Sequence, residues 1–396
     1  MIFKPGELKL LFPFYLYYFI LGLSGMIFPF MVIYFVNLGF SFFQISILLA
    51  AYSVSMFVFE IPTGAFADGF SRKYSVVLGF IICGLAVLLI GFTSIFWVLF
   101  FLFVFVGLGM TLISGSEESW VIDNLNFYNR EDLHKEFFIK SQSILSFAGI
   151  FAPLIGAFIV GVFSIKPLWV IWGVGFLLAS LLLAFLAEEK YVPKKLKIRE
   201  TFNKSLDNMK VGLKFAHSHN NTKYLILSGI FLSIMMIDAD FWQPFLADLQ
   251  MPIYLLGIVF SIISAVSMVV PFTARYLAKY KIKNVLISMV LLRILVLSTV
   301  LFLYPGLFIW GIAVFIFSEG LISLRHPVIM PYFQKHLPKH IRATISSIKS
   351  MGVQLGFGFG LLIFGFLADI IGVQFVIPLT GVFGLFAIYF FLKLDD

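Results

Sequence analysis

The chain alternates long apolar runs with short polar punctuation. Cutting it at charged residues, Pro and Gly leaves twelve runs near residues 9–36, 41–64, 74–94, 97–122, 137–162, 167–187, 222–247, 253–274, 284–303, 305–331, 343–369 and 372–392. A helix crosses the hydrocarbon core of a bilayer with about 20 apolar residues, so each run is predicted to be one span. An all-α membrane protein with twelve transmembrane helices follows. One long polar stretch, Glu188 to Lys223, divides the runs six and six. Within it Phe202, Leu206, Met209 and Leu213 recur near helical spacing, which predicts an amphipathic surface helix. The expected organisation is a six-helix bundle over 1–187, a cytosolic linker over 188–221 and a second bundle over 222–396. The first run is too long for a secretory leader and lacks a small-residue cleavage pattern, so it reads as a retained span.

An internal repeat relates the halves. "GAFADGFSRKYSVV" from Gly64 and "ARYLAKYKIKNVL" from Ala274 each follow the second run of a half, offset by 210 residues. The second copy keeps bases at Lys279, Lys281 and Lys283 but has Ala278 where the first has Asp68. Ala148 and Ala152 match Gly356 and Gly360 at an offset of 208. Two parallel, pseudo-symmetric six-helix bundles are expected.

Composition agrees with a lipid environment. Mean hydropathy is +1.04, with 61% hydrophobic and 12% charged residues, against about a quarter charged in soluble domains. The lone Cys83 leaves neither a disulfide framework nor a paired-cysteine metal site; no metal and no cofactor are expected. The net charge of +8 has a simple origin. With a cytosolic N-terminus, Lys and Arg fall in the tails and cytosolic loops, except Lys166 outside and Arg293, Arg325 and Lys349 within spans. This is the positive-inside pattern, and it accounts for the basic balance without nucleic acid. It predicts a multi-pass protein of the cytoplasmic membrane with both termini cytosolic.

The stretch "EIPTGAFADGFSRKY" interrupts the apolar pattern between spans two and three. Gly64, Asp68, Arg72 and Lys73 there, in a twelve-span chain with a long middle loop, resemble the signature loop of the major facilitator superfamily. The resemblance covers nearly the whole chain. The family usually has a base after the Asp and a Gly three residues after it; Gly69 and Ser71 stand in those places. In "FAGIFAPLIGAF", Ala152, Pro153, Gly156 and Ala157 resemble the Gly-Pro element of the superfamily's antiporters, with two glycines replaced by alanine. Physically, Gly64 permits close helix approach, Asp68 suits a neighbouring helix N-terminus, and Arg72 can reach Asp123. Such contacts exist in one packing of the halves only, which would make them a conformational latch. The alternative role of Arg72 and Lys73 is to enforce orientation alone.

Ionisable side chains in mid-span are costly and each needs a reason. Gly107, Thr111, Ser114 and Glu118 descend one helical face, with Glu117 about 100° away, so Glu118 is expected to face a cavity or partner helix. Glu60 lies near the cytosolic end of span two and reads as structural. In span ten Glu319, Ser323 and His326 share a face, and Arg325 projects elsewhere. In span seven Asp238 shares a face with Phe231, Trp242 and Phe245, while Asp240 lies nearly opposite with Ser233 and Gln243. An acid beside aromatics suits a lipophilic cation. A carboxyl group buried without a base can exchange a proton, whereas a nearby Arg or Lys holds it ionised as an anchor. Asp238 has no base in its own span, which favours it and Glu118 over Glu319 as coupling sites. Arg293 is expected to pair structurally with an acid. Packing, or a salt bridge at the cytosolic end, would equally explain most of these residues.

No Gly-rich nucleotide loop, His-Glu-x-x-His or Gly-x-Ser-x-Gly is present, so neither ATP-driven transport nor a membrane enzyme is supported. The expected function is secondary active transport of a small molecule by a monomer, coupled to protons or Na⁺. Proton-coupled export of lipophilic or cationic compounds leads, and proton-coupled symport of a small organic anion or nutrient is the alternative. A non-transporting sensor on the same fold is the remote third.

Overall fold

The computed structural model describes residues 3–190, 198–338 and 341–394. Among these residues no strand occurs, and twelve helices are long and apolar enough to cross a membrane. They are span one (Glu7–Asn37), two (Phe42–Gly69), three (Arg72–Ile90), four (Phe96–Phe127), five (Glu131–Val162), six (Lys166–Leu186), seven (Asn220–Asp248), eight (Leu255–Leu277), nine (Ile282–Phe302), ten (Phe308–Lys335), eleven (Thr344–Ile371) and twelve (Val373–Leu392). Helices dominate because hydrocarbon offers no partner to an exposed backbone N–H or C=O. Spans four and five outrun their apolar segments because both gain a polar turn where they approach the 128–130 loop.

Several spans are not continuous. Span one is interrupted around Gly25, span four at Ser114–Gly115, and span seven at Met236–Ile237. Gly115 has φ +72°, the left-handed region that glycine tolerates. The 210-residue repeat offset carries the interruption of span one onto that of span seven.

The described residues form two compact units, Met1–Phe28 with Val54–Leu206, and Pro29–Ser53 with Asp207–Asp396. In the first, span three packs on spans four and six, and span one on spans five and six. Glycine sets the closest approach: a Cβ on Gly175 of span six would lie 2.4 Å from the Ser24 Cβ. Gly64 plays no such part, since nothing lies within 4 Å of a Cβ placed there. The close contact expected at Gly64 is made at Gly175 instead.

In the second unit span seven packs on spans eleven and twelve, and span nine on spans ten and twelve. The start of span two belongs here. The Asp369 carboxylate of span eleven accepts hydrogen bonds from the Phe42 and Phe43 amides at 2.7 and 3.0 Å. Ser41 and Gln44 add a reciprocal capping box. Those four acceptor contacts meet donors that the first turn of a helix leaves unpaired. Between the sixth and seventh spans a helix runs Ile198–Ser218. Gly212 and Ala216 are buried, Gly212 against Thr344 and Ile348, whereas Leu213 is exposed. The apolar side of this helix thus docks through small residues, and its larger side chains are only partly covered. Residues 191–197 of the linker lie outside the described residues.

Replacing Gly175 with Ala should destabilise the protein by about 1–3 kcal/mol, the usual cost of overpacking. Gly64→Ala should leave the melting temperature unchanged. Thermal unfolding of the two purified variants checks this, and equal melting temperatures would contradict the packing described.

Candidate functional site

Two clusters of polar side chains stand out in the first unit. One is at the signature loop. Arg72 pairs with Asp123 of span four and, at 3.5 Å, with Asp68 one turn earlier. Ser71, where the family usually has Gly, serves as N-cap of span three and accepts from the Tyr74 amide at 3.1 Å. The anion at this helix start is Glu189, not Asp68. Its carboxylate accepts from the Arg72 and Lys73 amides at 2.7 and 3.1 Å and from the Ser71 hydroxyl at 2.5 Å. An acid here satisfies free amides and complements the helix dipole.

The residues around Glu189 are held equally firmly. Lys73 donates to the Ala187 carbonyl, and Trp120 and Asn124 both donate to the Glu188 carbonyl. Lys190 and Tyr128 donate to the Glu188 side chain. The Lys190 ammonium holds that carboxyl below the usual carboxylate range, with Tyr128 adding to the effect. Glu188 and Glu189 escaped the sequence reading because they look like the first residues of a solvated linker. Their position directly after an apolar span, opposite the bases of the signature loop, was the available signal.

The other cluster forms where span four restarts. Glu117 is buried and accepts a 2.8 Å hydrogen bond from the Tyr18 hydroxyl of span one, and Tyr17 stacks on Tyr18 at 4.5 Å. Glu118 is exposed on this unit. The single polar face expected from Gly107 to Glu118 is therefore not continuous. The left-handed Gly115 resets the helix, so spacing counted across it no longer reports direction. Both glutamates occupy the first turn of the restarted helix, a favourable place for an acid. In span five Ala152, Pro153, Gly156 and Ala157 are buried together, and the helix runs His134–Val162 through the proline.

The second unit holds an ionic network. Span seven restarts with Asp238 and Asp240 in its first turn. Asp238 is fully buried and bonds Arg293 of span nine at 2.6 Å, with the Trp242 indole N–H 3.3 Å away. Arg293 also donates to the Ser318 hydroxyl at 3.0 Å and faces the Met235 carbonyl at 3.4 Å. Trp242 stacks on Phe315 at 4.8 Å. The lack of a base close to Asp238 along span seven was no guide, because the base arrives from span nine. Phe231, counted on the same face, lies before the interruption and stacks instead on Phe383, Phe386 and Phe390.

The remaining charges are arranged more loosely. Asp240 is half-buried beside Asp238, and no cation lies within ion-pair distance of it among the described residues. The Glu319 Oε1 atom is buried with no hydrogen-bond partner, and Arg293 is its foremost charged neighbour. Ser323, predicted on the same face, bonds Ser267 of span eight. Arg325 touches the Met236 sulfur at 3.1 Å, and His326 is exposed. No three His, Cys, Asp or Glu side chains among the described residues are grouped to hold a metal ion.

Residues 14–351 match the family model of the Major Facilitator Superfamily. The chain belongs to this superfamily. Its members are transporters, not enzymes, and the chain is an integral, multi-pass membrane transporter. It is 22% identical over 364 residues to the uncharacterized MFS-type transporter YxaM of Bacillus subtilis (strain 168), covering 91% of this chain and 89% of the relative. In solved structures it resembles the nucleoside transporter NupG (16% identity, TM-score 0.76, 98% of both chains). It also resembles a bacterial homologue of the human lysosomal transporter Spinster (15% identity, TM-score 0.76, 98% of this chain and 97% of the other). At these identities the likeness shows a shared fold and nothing of the substrate.

Breaking the buried pair should be costly. Asp238→Asn or Arg293→Met alone should destabilise the protein by about 3–5 kcal/mol, because each strands a buried partner. The double variant should recover much of the loss. Melting temperatures of the three proteins check this, and additive losses would show that the pair is not coupled.

Proposed function

We propose that this superfamily member is a proton-coupled secondary transporter of the cytoplasmic membrane. Both termini are cytosolic, and two six-span halves, 1–187 and 222–396, alternate access to a small substrate. The signature-loop residues Asp68, Arg72, Lys73 and Asp123 act as its latch, with Glu189 anchoring the same loop. The observation that carries the reading is Glu319, whose buried Oε1 has no partner beside an arginine committed elsewhere. An ionised carboxylate in that position needs a counter-charge. Arg293 is the cation that acts on it most strongly, and Asp238 holds it. Loss of a proton from Glu319 would set two carboxylates competing for one guanidinium, which couples protonation to the packing of spans seven, nine and ten. Glu117, bonded to Tyr18, offers a second site in the first half.

The same charges bear on the substrate. Export of a lipophilic cation asks for an unpaired acid among aromatic rings. Asp238 has the rings, but Arg293 neutralises it. Symport of an organic anion with protons is better supported, because Arg325 and Lys349 have no carboxylate within ion-pair distance among the described residues.

Flux in proteoliposomes tests the coupling. Labelled mandelate, mandelamide and phenylethanolamine share one body and differ in charge. At least one should accumulate under an imposed pH gradient, with accumulation at least tenfold lower in Glu319→Gln and exchange without a gradient retained. Accumulation indifferent to the gradient, or gradient-driven accumulation undiminished in Glu319→Gln, would contradict the proposal.

A further inference from the structure

Within spans ten and eleven Arg325, His326 and Lys349 are basic side chains that the ionic network leaves over. Arg325 lies within electrostatic reach of both Lys349 and His326. None of the three has a carboxylate within ion-pair distance among the described residues. Glu319 and Arg293 are the other charged groups in reach of Arg325. Arg293 bonds Asp238, and Glu319 lies about 120° away around the same helix.

What Arg325 and Lys349 do touch is soft and uncharged. The Arg325 guanidinium lies 3.1 Å from the Met236 sulfur. The Lys349 ammonium lies 3.6 Å from the Met330 sulfur and 4.4 Å from the Phe333 ring centre. A ring face attracts a cation by about 1 kcal/mol, and the thioether sulfur is polarizable but uncharged. They do not replace a counter-ion for two like charges inside a span. Repulsion between neighbouring cations adds to the deficit.

We infer that Arg325 and Lys349 form a subsite for the carboxylate of a small organic anion, with Met236 and Met330 as the apolar wall for its body. This inference rests on the reading of the protein as a transporter and names the substrate class of its second unit. Arg325 supplies a planar fork that can take a carboxylate through two parallel hydrogen bonds, and Lys349 supplies a compact charge beside it. The approach is from the His326 side. Behind Arg325 the cavity shared with Arg293 and Leu232 is about 20 Å³, room for one water. Neither His326, which is exposed, nor Lys349, which is half-buried, lines that cavity. The repeat offset of 210 carries Gly115 and Ser116, where span four restarts, onto Arg325 and His326. The same offset carries Glu117 and Glu118 onto Pro327 and Val328, so the acidic pair of one half and the basic pair of the other stand two residues apart in the repeat.

Binding to the full-length protein in detergent, with no pH gradient, tests the subsite separately from proton coupling. The probes are mandelate, its neutral amide mandelamide, and the cationic phenylethanolamine. Mandelate should raise the melting temperature in a saturable way, and the other two should not. Lys349→Gln and Arg325→Gln should each weaken mandelate binding at least tenfold, and Lys349→Arg should restore most of it. The rescue separates loss of charge from loss of folding, as does the melting temperature of each variant without ligand. Stronger binding of phenylethanolamine, no binding of mandelate, or mandelate binding unchanged in both Gln variants would overturn the subsite. Gradient-driven flux that survives such a result would leave the transporter reading standing and remove only the anion.

Discussion

Backbone hydrogen bonding in hydrocarbon is the constraint on which the rest of this structure depends. A span must satisfy its own N–H and C=O groups, and it can stop being helical only where protein or water replaces lipid. The interruptions in spans one, four and seven are therefore informative. Two of them are followed at once by paired acids, Glu117 with Glu118 and Asp238 with Asp240, in the first turn of the restarted helix. A restarted helix offers unpaired amides and a positive dipole end, so it is where an acid is cheapest to keep inside a membrane. Chemistry gathers at the breaks because the breaks make charge tolerable.

The charges then divide by partner. Asp238 and Arg293 pair to form a strut between spans seven and nine, reinforced by Trp242 and Ser318. Glu319 borders that strut without joining it, and Arg325 and Lys349 lie beyond with only sulfur and ring neighbours. A strut that a neighbouring acid can challenge is a bistable element. In the proposed mechanism protons would bias it through Glu319 and an organic anion through Arg325, whose field reaches both Glu319 and Arg293. The first unit has a different character. Its signature loop is tied down by Glu189 and by carbonyls of Ala187 and Glu188, so the root of the linker is part of that unit and not a free tether.

Much of this was legible in the residues. The twelve spans follow from apolar length alone, and the superfamily fold from the signature loop in that setting. The reach from Arg72 to Asp123 was also readable, because both lie at the same end of adjacent spans. Facing directions were not. Helical spacing is a sound guide only while the helix is unbroken, and Gly115 and Met236 interrupt the two spans on which Glu118 and Asp238 were oriented. Long-range pairing was hidden for a different reason. Arg293 and Asp238 are 55 residues apart, and no local pattern reports which buried base meets which buried acid. Glu189 was overlooked because hydrophilic composition after a span resembles solvent-exposed linker. Gly64 shows a third limit, since a small residue permits close packing without requiring it.

The central claim is that Glu319 carries the exchangeable proton while Asp238 stays ionised against Arg293. Infrared difference spectra of the purified protein between acidic and alkaline buffer test it most directly. The account predicts that one component of the protonated-carboxyl band seen in acid and lost in alkali is missing from Glu319→Gln and persists in Asp240→Asn. A wild-type spectrum without such a band, or a band unchanged in Glu319→Gln, would contradict it.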